Sequence, residues 1–289
     1  FGLDFIHTQY VLPMDVLPPT GRCKKIVTIH DILFETYPQF FTPLFVARSR
    51  FLIRWAATRA DHIFTVSEYS KDAICRLYGV GDQKVSVTRN GVAYGRFAEG
   101  GMDDGFISAA RQLSRKGYIL SVGRLEPRKN HRTLLEAYAL LGENAPPLVI
   151  VGQRDFGFDG VFATIKIRNL GAKVRIMEDV RDTELPALYR NAMIFAYPTY
   201  AEGFGMPVVE AMAAGVPVVT ANTTALPEVC GSSCLLVDPA WPDDIAAALS
   251  GLINDPPRRA RLGERGSARA RQFRWEDAAQ VLKDQYLKL

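Results

Sequence analysis

Short apolar runs alternate with longer amphipathic stretches along most of the chain. A short run such as Leu148–Val151 is typical of a buried strand, and a longer stretch such as Glu68–Tyr78 is typical of a helix. Because the two patterns alternate regularly, the sequence predicts an α/β protein with parallel sheets.

The first third of the chain contains four strand candidates and two clear helical stretches. Thr42 and Ser67 are suited to cap the helices at their N-terminal ends, and Gly79 is suited to end the second helix. The predicted strands are Phe5–His7, Lys25–Ile29, His62–Val66 and Val85–Val87, and the predicted helices are Pro43–Arg59 and Glu68–Tyr78.

A glycine-rich and acidic segment over residues 94–114 is the best linker candidate. After it, six strand candidates are enough for one complete doubly wound domain. We therefore predict a short first domain over residues 1–93, a second domain over 115–272 and a C-terminal helix over 273–289. The predicted strands are Tyr118–Val122, Leu148–Val151, Val174–Met177, Ile194–Ala196, Val216–Thr220 and Leu235–Val237. The predicted helices are Arg132–Leu141, Val161–Leu170, Thr183–Asn191, Val208–Ala214 and Asp244–Asn254.

The composition adds limits on function. The 289 residues are enough for two domains with their own cores. A net charge of +4 suits an anionic ligand or a membrane face, but it is too weak to indicate nucleic acid, for which no motif is present. The spacing of Cys230 and Cys234 is a weak zinc signal without a second pair, so free thiols in a reducing cytoplasm are expected.

The segment from Glu202 to Glu210 is the most informative part of the sequence. It places two carboxylates around a glycine turn, and Pro207 suits the first position of the helix that follows. A glycine-rich turn that opens a helix presents unpaired backbone N–H groups, which bind anions. The pattern predicts a site for a phosphorylated, hydroxyl-rich ligand. The alternative is an ordinary helix start with two surface glutamates.

The order of several motifs resembles the retaining glycosyltransferases of family 4, a GT-B group that uses nucleotide-sugar donors. The resemblance extends over nearly the whole chain. It rests on the Glu202-X7-Glu210 spacing together with Thr28-Ile29-His30-Asp31, Thr65-Val66-Ser67-Glu68, Asn90-Gly91-Val92, Gly123-Arg124-Leu125, Lys129-Asn130, Ala211–Val219 and Leu226-Pro227-Glu228-Val229.

The resemblance implies a GT-B fold of two Rossmann-like domains whose parallel sheets face each other across a cleft. It implies that residues 273–289 pack back on the first domain. Family members have six or seven strands in that domain, and a βαβ unit takes roughly 30 residues. The four strands seen here therefore suggest that about 90 residues are missing at the front. The first residue is Phe1 rather than Met, which agrees with a truncated chain.

The resemblance also implies roles for individual residues. Arg124 and Lys129 are expected to bind the donor diphosphate, and Val180 to lie near the base. Glu210 is expected to bind the ribose hydroxyls, and Glu202 to lie near the donor sugar. Backbone N–H groups of Gly203, Phe204, Gly205 and Met206 are expected on phosphate or sugar. His30 is expected to contact the donor sugar or help position the acceptor, and His7 is a weaker candidate.

These roles describe a metal-independent hexosyltransferase without a cofactor. Its substrates are a nucleoside diphosphate sugar, with GDP-mannose the first expectation, and a glycan or lipid-linked saccharide at the cytoplasmic face of the membrane. The absence of Asp-X-Asp agrees with the metal-independent pattern. The alternatives are a catalytically inactive nucleotide-binding remnant, a glycosidase that uses the paired carboxylates, and a sugar-nucleotide epimerase.

Two arginine-rich regions bear on membrane contact. Seven arginines between Arg258 and Arg274 suit either an anionic lipid surface or a solvated helix. The helix Pro43–Arg59 also mixes arginines with apolar residues. On a helical wheel Arg48 and Arg59 fall among its apolar positions, so the sequence does not describe a clean membrane-surface helix.

Overall fold

The computed structural model of the chain describes residues 3–12, 23–99, 113 and 117–289. The chain divides into two compact units, one of residues 1–91 with 274–289 and the other of residues 92–273. Each unit contains one sheet in which all pairs of described strands are parallel, so the predicted α/β class is confirmed.

All ten predicted strands are present, four with the predicted bounds and six with one or both ends shifted by one or two residues. The strands are β1 Phe5–Gln9, β2 Lys24–Thr28, β3 His62–Thr65, β4 Val85–Val87, β5 Ile119–Val122, β6 Leu148–Val151, β7 Val174–Met177, β8 Ile194–Tyr197, β9 Val218–Ala221 and β10 Leu235–Val237.

The predicted helices are also present. The helices are α1 Leu33–Thr36, α2 Pro43–Arg59, α3 Glu68–Tyr78, α4 Tyr94–Ala98, α5 His131–Leu140, α6 Asp159–Ile167, α7 Leu185–Asn191, α8 Met206–Ala213, α9 Leu226–Cys230, α10 Pro242–Ile253, α11 Pro256–Ala270 and α12 Trp275–Tyr286. Short 3₁₀ turns lie at Pro38–Phe40, Asp82–Lys84 and Pro127–Lys129.

The predicted helix ends in the first unit are confirmed by their hydrogen bonds. The side chain of Thr42 accepts from the backbone N–H of Phe45 at 3.4 Å, and that of Ser67 accepts from Ser70 at 3.1 Å. Gly79 ends α3 in the left-handed conformation, with φ of 68°. Local sequence therefore determines where these two helices begin or end.

The first unit is built on the strand order β1-β2-β3-β4. One face of this sheet packs through Val27 and Ile63 against Ile53 of α2 and other apolar side chains of the helices. The C-terminal helix α12 contacts the same sheet. The Tyr286 ring stacks on the Phe5 ring, with 4.8 Å between the ring centroids. The Tyr286 hydroxyl is hydrogen-bonded to His7 Nδ1 at 2.5 Å.

The second unit has the strand order β10-β9-β8-β5-β6-β7. The chain adds β6 and β7 on one side of β5 and then returns to add β8, β9 and β10 on the other side. This is the order of a doubly wound Rossmann domain, in which a crevice opens at the carboxyl ends of the two strands where the direction reverses. Those strands are β5 and β8.

The predicted linker differs from the structure in its first part. Residues Tyr94–Ala98 form α4, in which the buried Phe97 ring packs edge-on against Tyr189 at 5.7 Å. The Arg190 guanidinium donates to the carbonyls of Arg96 and Phe97. Burial of an aromatic side chain explains why this segment belongs to the second unit. The remaining predicted linker residues, 100–112 and 114, lie outside the described part of the chain.

Arginines of α11 hold the ends of neighbouring helices. Arg259 donates to the carbonyls of Leu252 and Ile253, and Arg269 donates to the carbonyls of Glu228 and Val229. Helix C-terminal carbonyls lack intrahelical partners and favour positive charge, so these two arginines stabilise α9 and α10.

Two further points concern the whole described chain. All four cysteines are free thiols. Among the described residues, no helix has the length and apolar character that crossing a bilayer requires.

The loops that follow β5 and β6 approach so closely that Gly152 has no room for a side chain. A Cβ at Gly152 would lie 1.9 Å from the carbonyl oxygen of Gly123. We expect Gly152→Ala to lower the free energy of unfolding by at least about 2 kcal/mol, because the backbone must shift. Gly171→Ala is the matched control, since no atom lies within 4 Å of its added methyl. Denaturant unfolding followed by circular dichroism measures both, and equal stability of the two variants would contradict the close approach.

Candidate active site

The loops that follow β5 and β8 meet at the point where the strand order reverses. Lys129 Nζ in the first loop lies 2.7 Å from Glu202 Oε1 in the second loop. The Nη1 atom of Arg128, also in the first loop, lies 3.2 Å from the same oxygen. The residues are far apart in sequence but follow neighbouring parallel strands. The topology therefore brings together two of the predicted site residues, Lys129 and Glu202, with Arg128 beside them.

The Glu202 carboxylate is buried, with 7% of the residue exposed. The hydroxyl of Tyr197, at the end of β8, accepts from Lys129 Nζ at 2.7 Å and donates to Glu202 Oε1 at 2.8 Å. Thr199 Oγ1 lies 3.2 Å from the same oxygen, and its shorter contact is with the backbone carbonyl of Arg128. All four contacts are thus made with Oε1 of Glu202.

Opposing effects act on the ionisation of Glu202. Burial raises the pKa of this carboxyl group. The charges of Lys129 and Arg128, with the hydrogen bonds from Lys129 and Tyr197, lower the pKa by more than burial raises it. The net pKa lies below its ordinary value, so the carboxylate is charged at neutral pH. Burial and the adjacent carboxylate raise the pKa of Tyr197 well above its ordinary value, so the phenol keeps its proton.

Asn130 joins the loop after β5 to two other strand ends. It adopts the left-handed conformation with φ of 59°, and its buried side-chain amide donates to the carbonyls of Pro198 at 2.8 Å and Pro239 at 2.7 Å. The backbone carbonyl of Arg128 accepts from Thr199 Oγ1 at 2.8 Å. These bonds fix the position from which the Lys129 side chain extends.

Each basic side chain of the loop after β5 already has an acidic partner. Arg128 also contacts Glu126 at 2.6 Å, and Arg124 contacts Asp155 at 2.8 Å. The Arg124 side chain is 66% exposed and does not reach Glu202 in the structure. Exposed ion pairs of this kind contribute little to stability, so Arg124 can exchange Asp155 for an anionic ligand at low cost.

The helix α8 begins at Met206, one residue earlier than the predicted first position, Pro207. Gly203, Phe204 and Gly205 immediately before it are buried. Among the described residues, no acceptor is found for the backbone N–H groups of 203–206. Unpaired N–H groups at the start of a helix can bind anions, so the role predicted for this turn stays a prediction.

Glycine is required at position 205 by both conformation and space. Its φ is 99°, which residues with a side chain rarely adopt, and a Cβ would lie 2.6 Å from a methyl carbon of Leu226. The Phe204 ring packs edge-on against Phe273 at 5.6 Å, which fixes the other side of the turn.

Glu210 lies in the second turn of α8 and has a different environment from Glu202. Its Oε2 accepts from the Tyr189 hydroxyl at 2.9 Å, and no ion pair with a described residue is found for it. Burial raises the pKa of Glu210 to about 7, against a smaller lowering by the Tyr189 hydrogen bond and Arg96. The two glutamates of the motif therefore differ in their partners and in the direction of their pKa shifts.

Four residues of the site were missed by reasoning from sequence. Arg128 lies beside Lys129 in the loop after β5, where the sequence pattern singled out only Arg124 and Lys129. Tyr197 directly follows the predicted strand, so a search of strand ends would have found it. Tyr189 on α7 and Thr224, whose Oγ1 accepts from the Glu202 N–H at 3.0 Å, gave no sequence signal. Thr224 has φ of 54°, which is strained for a β-branched residue and typical of functional sites.

Val180 and His30 belong to other loops of the chain. Val180 is half-buried in the loop after β7, at the same carboxyl edge of the second sheet. His30 belongs to the first unit and follows β2. Burial lowers the pKa of His30, against a smaller raising by Asp31, so the ring is neutral at pH 7.

A cavity of about 440 Å³ lies in the first unit beside His30, at the carboxyl ends of the strands. Its described lining contains no carboxylate, ammonium or guanidinium group. The lining includes the polar residues His7, Thr8, Gln9, Thr28, His30, Thr88 and Asn90. His7 is also bound to Thr28 Oγ1 at 2.7 Å and to Tyr286, and its role in the site stays a prediction.

Sequence models of two known families match the chain. The sequence model described as Glycosyl transferases group 1 matches residues 106–269, which include the ion-pair cluster and α8. The model described as Glycosyltransferase Family 4 matches residues 1–96.

Two curated relatives are bacterial mannosyltransferases. The chain is 34% identical over 257 residues to O-antigen chain mannosyltransferase B of Escherichia coli, and the match covers 88% of this chain and 68% of that protein. It is 29% identical over 231 residues to O-antigen chain mannosyltransferase RfbU of Salmonella typhimurium, over 80% of this chain and 60% of the relative. The chain thus spans about two thirds or less of the length of these relatives.

Solved structures share the fold at lower identity. Sucrose-phosphate synthase from Thermosynechococcus elongatus matches 99% of this chain and 73% of its own, with a TM-score of 0.83 and 23% identity. Anabaena HepE, solved in complex with UDP and glucose, matches 93% of this chain and 72% of its own, with a TM-score of 0.81 and 22% identity. The chain therefore belongs to the group 1 glycosyltransferases, and its fold is of the GT-B type.

Proposed function

We propose that this protein transfers a hexose, with retention of configuration, from a nucleoside diphosphate sugar to a hydroxyl group of a glycan or lipid-linked saccharide. The observation that carries the proposal is the set of unpaired N–H groups at the start of α8, with Lys129 and Glu202 in the preceding loops and Glu210 one turn into the helix. We propose GDP-mannose as the donor, since two relatives are named as mannosyltransferases.

The departing diphosphate is the group that this site is best suited to stabilise. Negative charge accumulates on its oxygens as the glycosidic bond breaks, and fixed donors aimed at that charge supply the largest catalytic effect. The Lys129 ammonium has three N–H donors, of which Tyr197 and Glu202 take two in the described structure. The third, together with the N–H groups of 203–206, is available for phosphate oxygens.

Glu202 is proposed to position the cations and to face the donor sugar. Its Oε1 atom holds Lys129, Arg128 and the Tyr197 hydroxyl, which leaves Oε2 for a sugar hydroxyl. Because the group is ionised, Oε2 also steadies positive charge that develops at the anomeric carbon. The cations supply the charge that a metal supplies in other transferases, so we propose that no metal is required.

Glu210 is proposed to bind the ribose hydroxyls of the donor. A carboxylate accepts two hydrogen bonds from a diol, and Glu210 forms no ion pair with a described residue that would compete for them. Val180, at the same edge of the sheet, is proposed to lie near the base.

The cavity of the first unit is proposed to bind the acceptor saccharide, with His30 as the residue that contacts donor sugar or acceptor. A lining of neutral hydroxyl, amide and imidazole groups suits the hydroxyls of an uncharged sugar. We propose that the reaction takes place in the cytoplasm, at the inner face of the membrane where a lipid-linked acceptor is exposed.

Calorimetric titration with GDP, UDP and ADP, without added metal, tests the donor site first. Micromolar binding of one nucleotide, followed by transfer from the matching sugar nucleotide to a saccharide acceptor, is the expected result. Binding without transfer under any condition would favour an inactive nucleotide-binding remnant. A folded chain that binds none of the three would refute the proposed donor site.

We expect Lys129→Ala to weaken binding of the preferred nucleoside diphosphate by at least about tenfold, about 1.4 kcal/mol, because a donor to the diphosphate is lost. The same change removes one partner of a buried ion pair, so thermal stability should fall as well. Lys166→Ala is the matched control, since Lys166 is exposed on α6 of the same unit. Unchanged nucleotide affinity of a folded Lys129 variant would contradict the diphosphate role.

A pH series tests the role of Glu210. Because the pKa of Glu210 is raised to about 7, the carboxylate is mostly protonated at low pH and is a poorer acceptor for the ribose hydroxyls. We expect the ratio of nucleotide affinities, wild type over Glu210→Gln, to rise about tenfold between about pH 6 and about pH 8. The ligand's own ionisation cancels in this ratio.

Inorganic pyrophosphate is the control ligand for the same pair of proteins. Its affinity should be equal in wild type and Glu210→Gln at each pH. A ratio for the nucleotide that does not change with pH, or an equal effect on pyrophosphate, would show that Glu210 does not contact the ribose.

A further inference from the structure

Tyr189 on α7 is the hydrogen-bond partner of Glu210. Its phenol hydroxyl donates to Glu210 Oε2 at 2.9 Å, and no second hydrogen bond to the Glu210 side chain is found among the described residues. Because the carboxylate also lacks an ion pair with a described residue, its position depends on this one phenol.

The Tyr189 ring is fixed by packing on two sides. The residue is fully buried, and its ring contacts Phe97 of α4 at 5.7 Å and Phe195 of β8 at 5.3 Å between ring centroids. The next residue, Arg190, donates to the carbonyls of Arg96 and Phe97, which ties α7 to α4. A close-packed interior allows such a side chain little movement, so the hydroxyl stays at one point.

Glu210 by itself is less constrained than its partner. It is half-buried in the second turn of α8, and a glutamate side chain has several rotatable bonds. The two oxygens of a carboxylate together offer about four acceptor sites. Tyr189 occupies one site on Oε2, which leaves Oε1 and the remaining site of Oε2 for the hydroxyls of a ligand.

Glu202, the other glutamate of the motif, does not depend on a tyrosine in this way. The Tyr197 hydroxyl donates to Glu202 at 2.8 Å, but two cations of the loop after β5 contact the same oxygen. Loss of that phenol would leave both cations in place. Loss of the Tyr189 phenol would leave Glu210 without a hydrogen-bond partner among the described residues.

We propose that Tyr189 is a positioning residue, which holds the Glu210 carboxylate in the orientation that accepts the ribose hydroxyls of the donor. Fixing the carboxylate before the nucleotide arrives spares binding the cost of ordering a flexible side chain. The hydroxyl also favours the ionised form of the carboxylate, because it donates to the charged oxygen. The inference rests on the proposed nucleotide site and names a residue on which the affinity of that site depends.

The groups around Glu210 act on its ionisation in opposite directions. Burial is the largest effect and raises the pKa of Glu210 to about 7, while the Tyr189 hydrogen bond lowers it. The charge of Arg96 on α4 also lowers the pKa, and that of Asp182 in the loop after β7 raises it. Arg96 and Asp182 form an ion pair at 2.6 Å, so their effects partly cancel. Burial and the adjacent carboxylate raise the pKa of Tyr189 well above its ordinary value, so the phenol keeps the proton that it donates.

Tyr189→Phe tests the proposal, because it removes the hydroxyl and keeps the ring. Calorimetry with GDP, UDP and ADP identifies the nucleotide that wild type binds most tightly, and that nucleotide is then used for every variant. We expect Tyr189→Phe to bind it about three- to tenfold more weakly near neutral pH. Inorganic pyrophosphate, which has no ribose, should bind to both proteins equally.

The dependence on pH separates positioning from a general loss of structure. Without the hydrogen bond, the pKa of Glu210 should rise above its wild-type value of about 7. The ratio of affinities, wild type over Tyr189→Phe, should be largest just above about pH 7, where Glu210 is ionised in wild type and still protonated in the variant. A general loss of structure gives a ratio that does not change with pH.

A double-mutant cycle tests whether Tyr189 acts through Glu210. In a Glu210→Ala background, Tyr189→Phe should change nucleotide affinity by less than about twofold, because the acceptor is already absent.

The matched control is Tyr118→Phe. Tyr118 is also buried, and its hydroxyl donates to the backbone carbonyl of Leu188 on the same helix α7 at 2.6 Å. Each variant removes one buried hydroxyl that has a partner, so both should lose thermal stability by a comparable amount. Only Tyr189→Phe should lose nucleotide affinity, and Tyr118→Phe should match wild type at every pH.

Three results would overturn this inference and leave the proposed function in place. The first is equal nucleotide affinity of Tyr189→Phe and wild type at every pH. The second is an undiminished effect of Tyr189→Phe in the Glu210→Ala background, and the third is an equal effect on pyrophosphate. A folded wild-type chain that binds none of the three nucleotides would instead refute the proposed donor site, and this inference with it.

Discussion

The site of this protein depends on one topological constraint, the reversal of strand order between β5 and β8. At that point the connecting segments leave in opposite directions, and the carboxyl ends of two adjacent strands stay uncovered. The loops that follow these strands supply Lys129 and Glu202, whose side chains form a buried ion pair at 2.7 Å. The other donors, Arg128 and the Tyr197 hydroxyl, contact the same Glu202 carboxylate.

The ion pair has a cost as well as a use. Burying a carboxylate and an ammonium group removes water from both, and only close contacts compensate for it. Here the Tyr197 hydroxyl adds a hydrogen bond to the carboxylate oxygen that Lys129 contacts. The result is a fixed cluster around Lys129, in which the carboxylate of Glu202 offsets the charge of the ammonium group. A preorganised donor that does not have to move is what stabilises charge best in a transition state.

The two glutamates of the motif show how one sequence pattern can hold two different groups. Cations keep Glu202 ionised although it is buried, whereas burial with only a phenol as described partner raises the pKa of Glu210 to about 7. Residue type alone therefore does not define the role.

The sequence by itself determined the elements and the class of the fold. All ten strands and the caps at Thr42, Ser67 and Gly79 follow from local patterns, because strand burial and helix ends depend on neighbours in the chain. The glycine turn before α8 was predictable for the same reason. The helix α4 was not, because burial of Phe97 against Tyr189 is a long-range contact. The partners of the site, Arg128, Tyr189, Tyr197 and Thr224, were decided only by tertiary structure. They depend on which strands are neighbours, and local sequence patterns do not encode this directly.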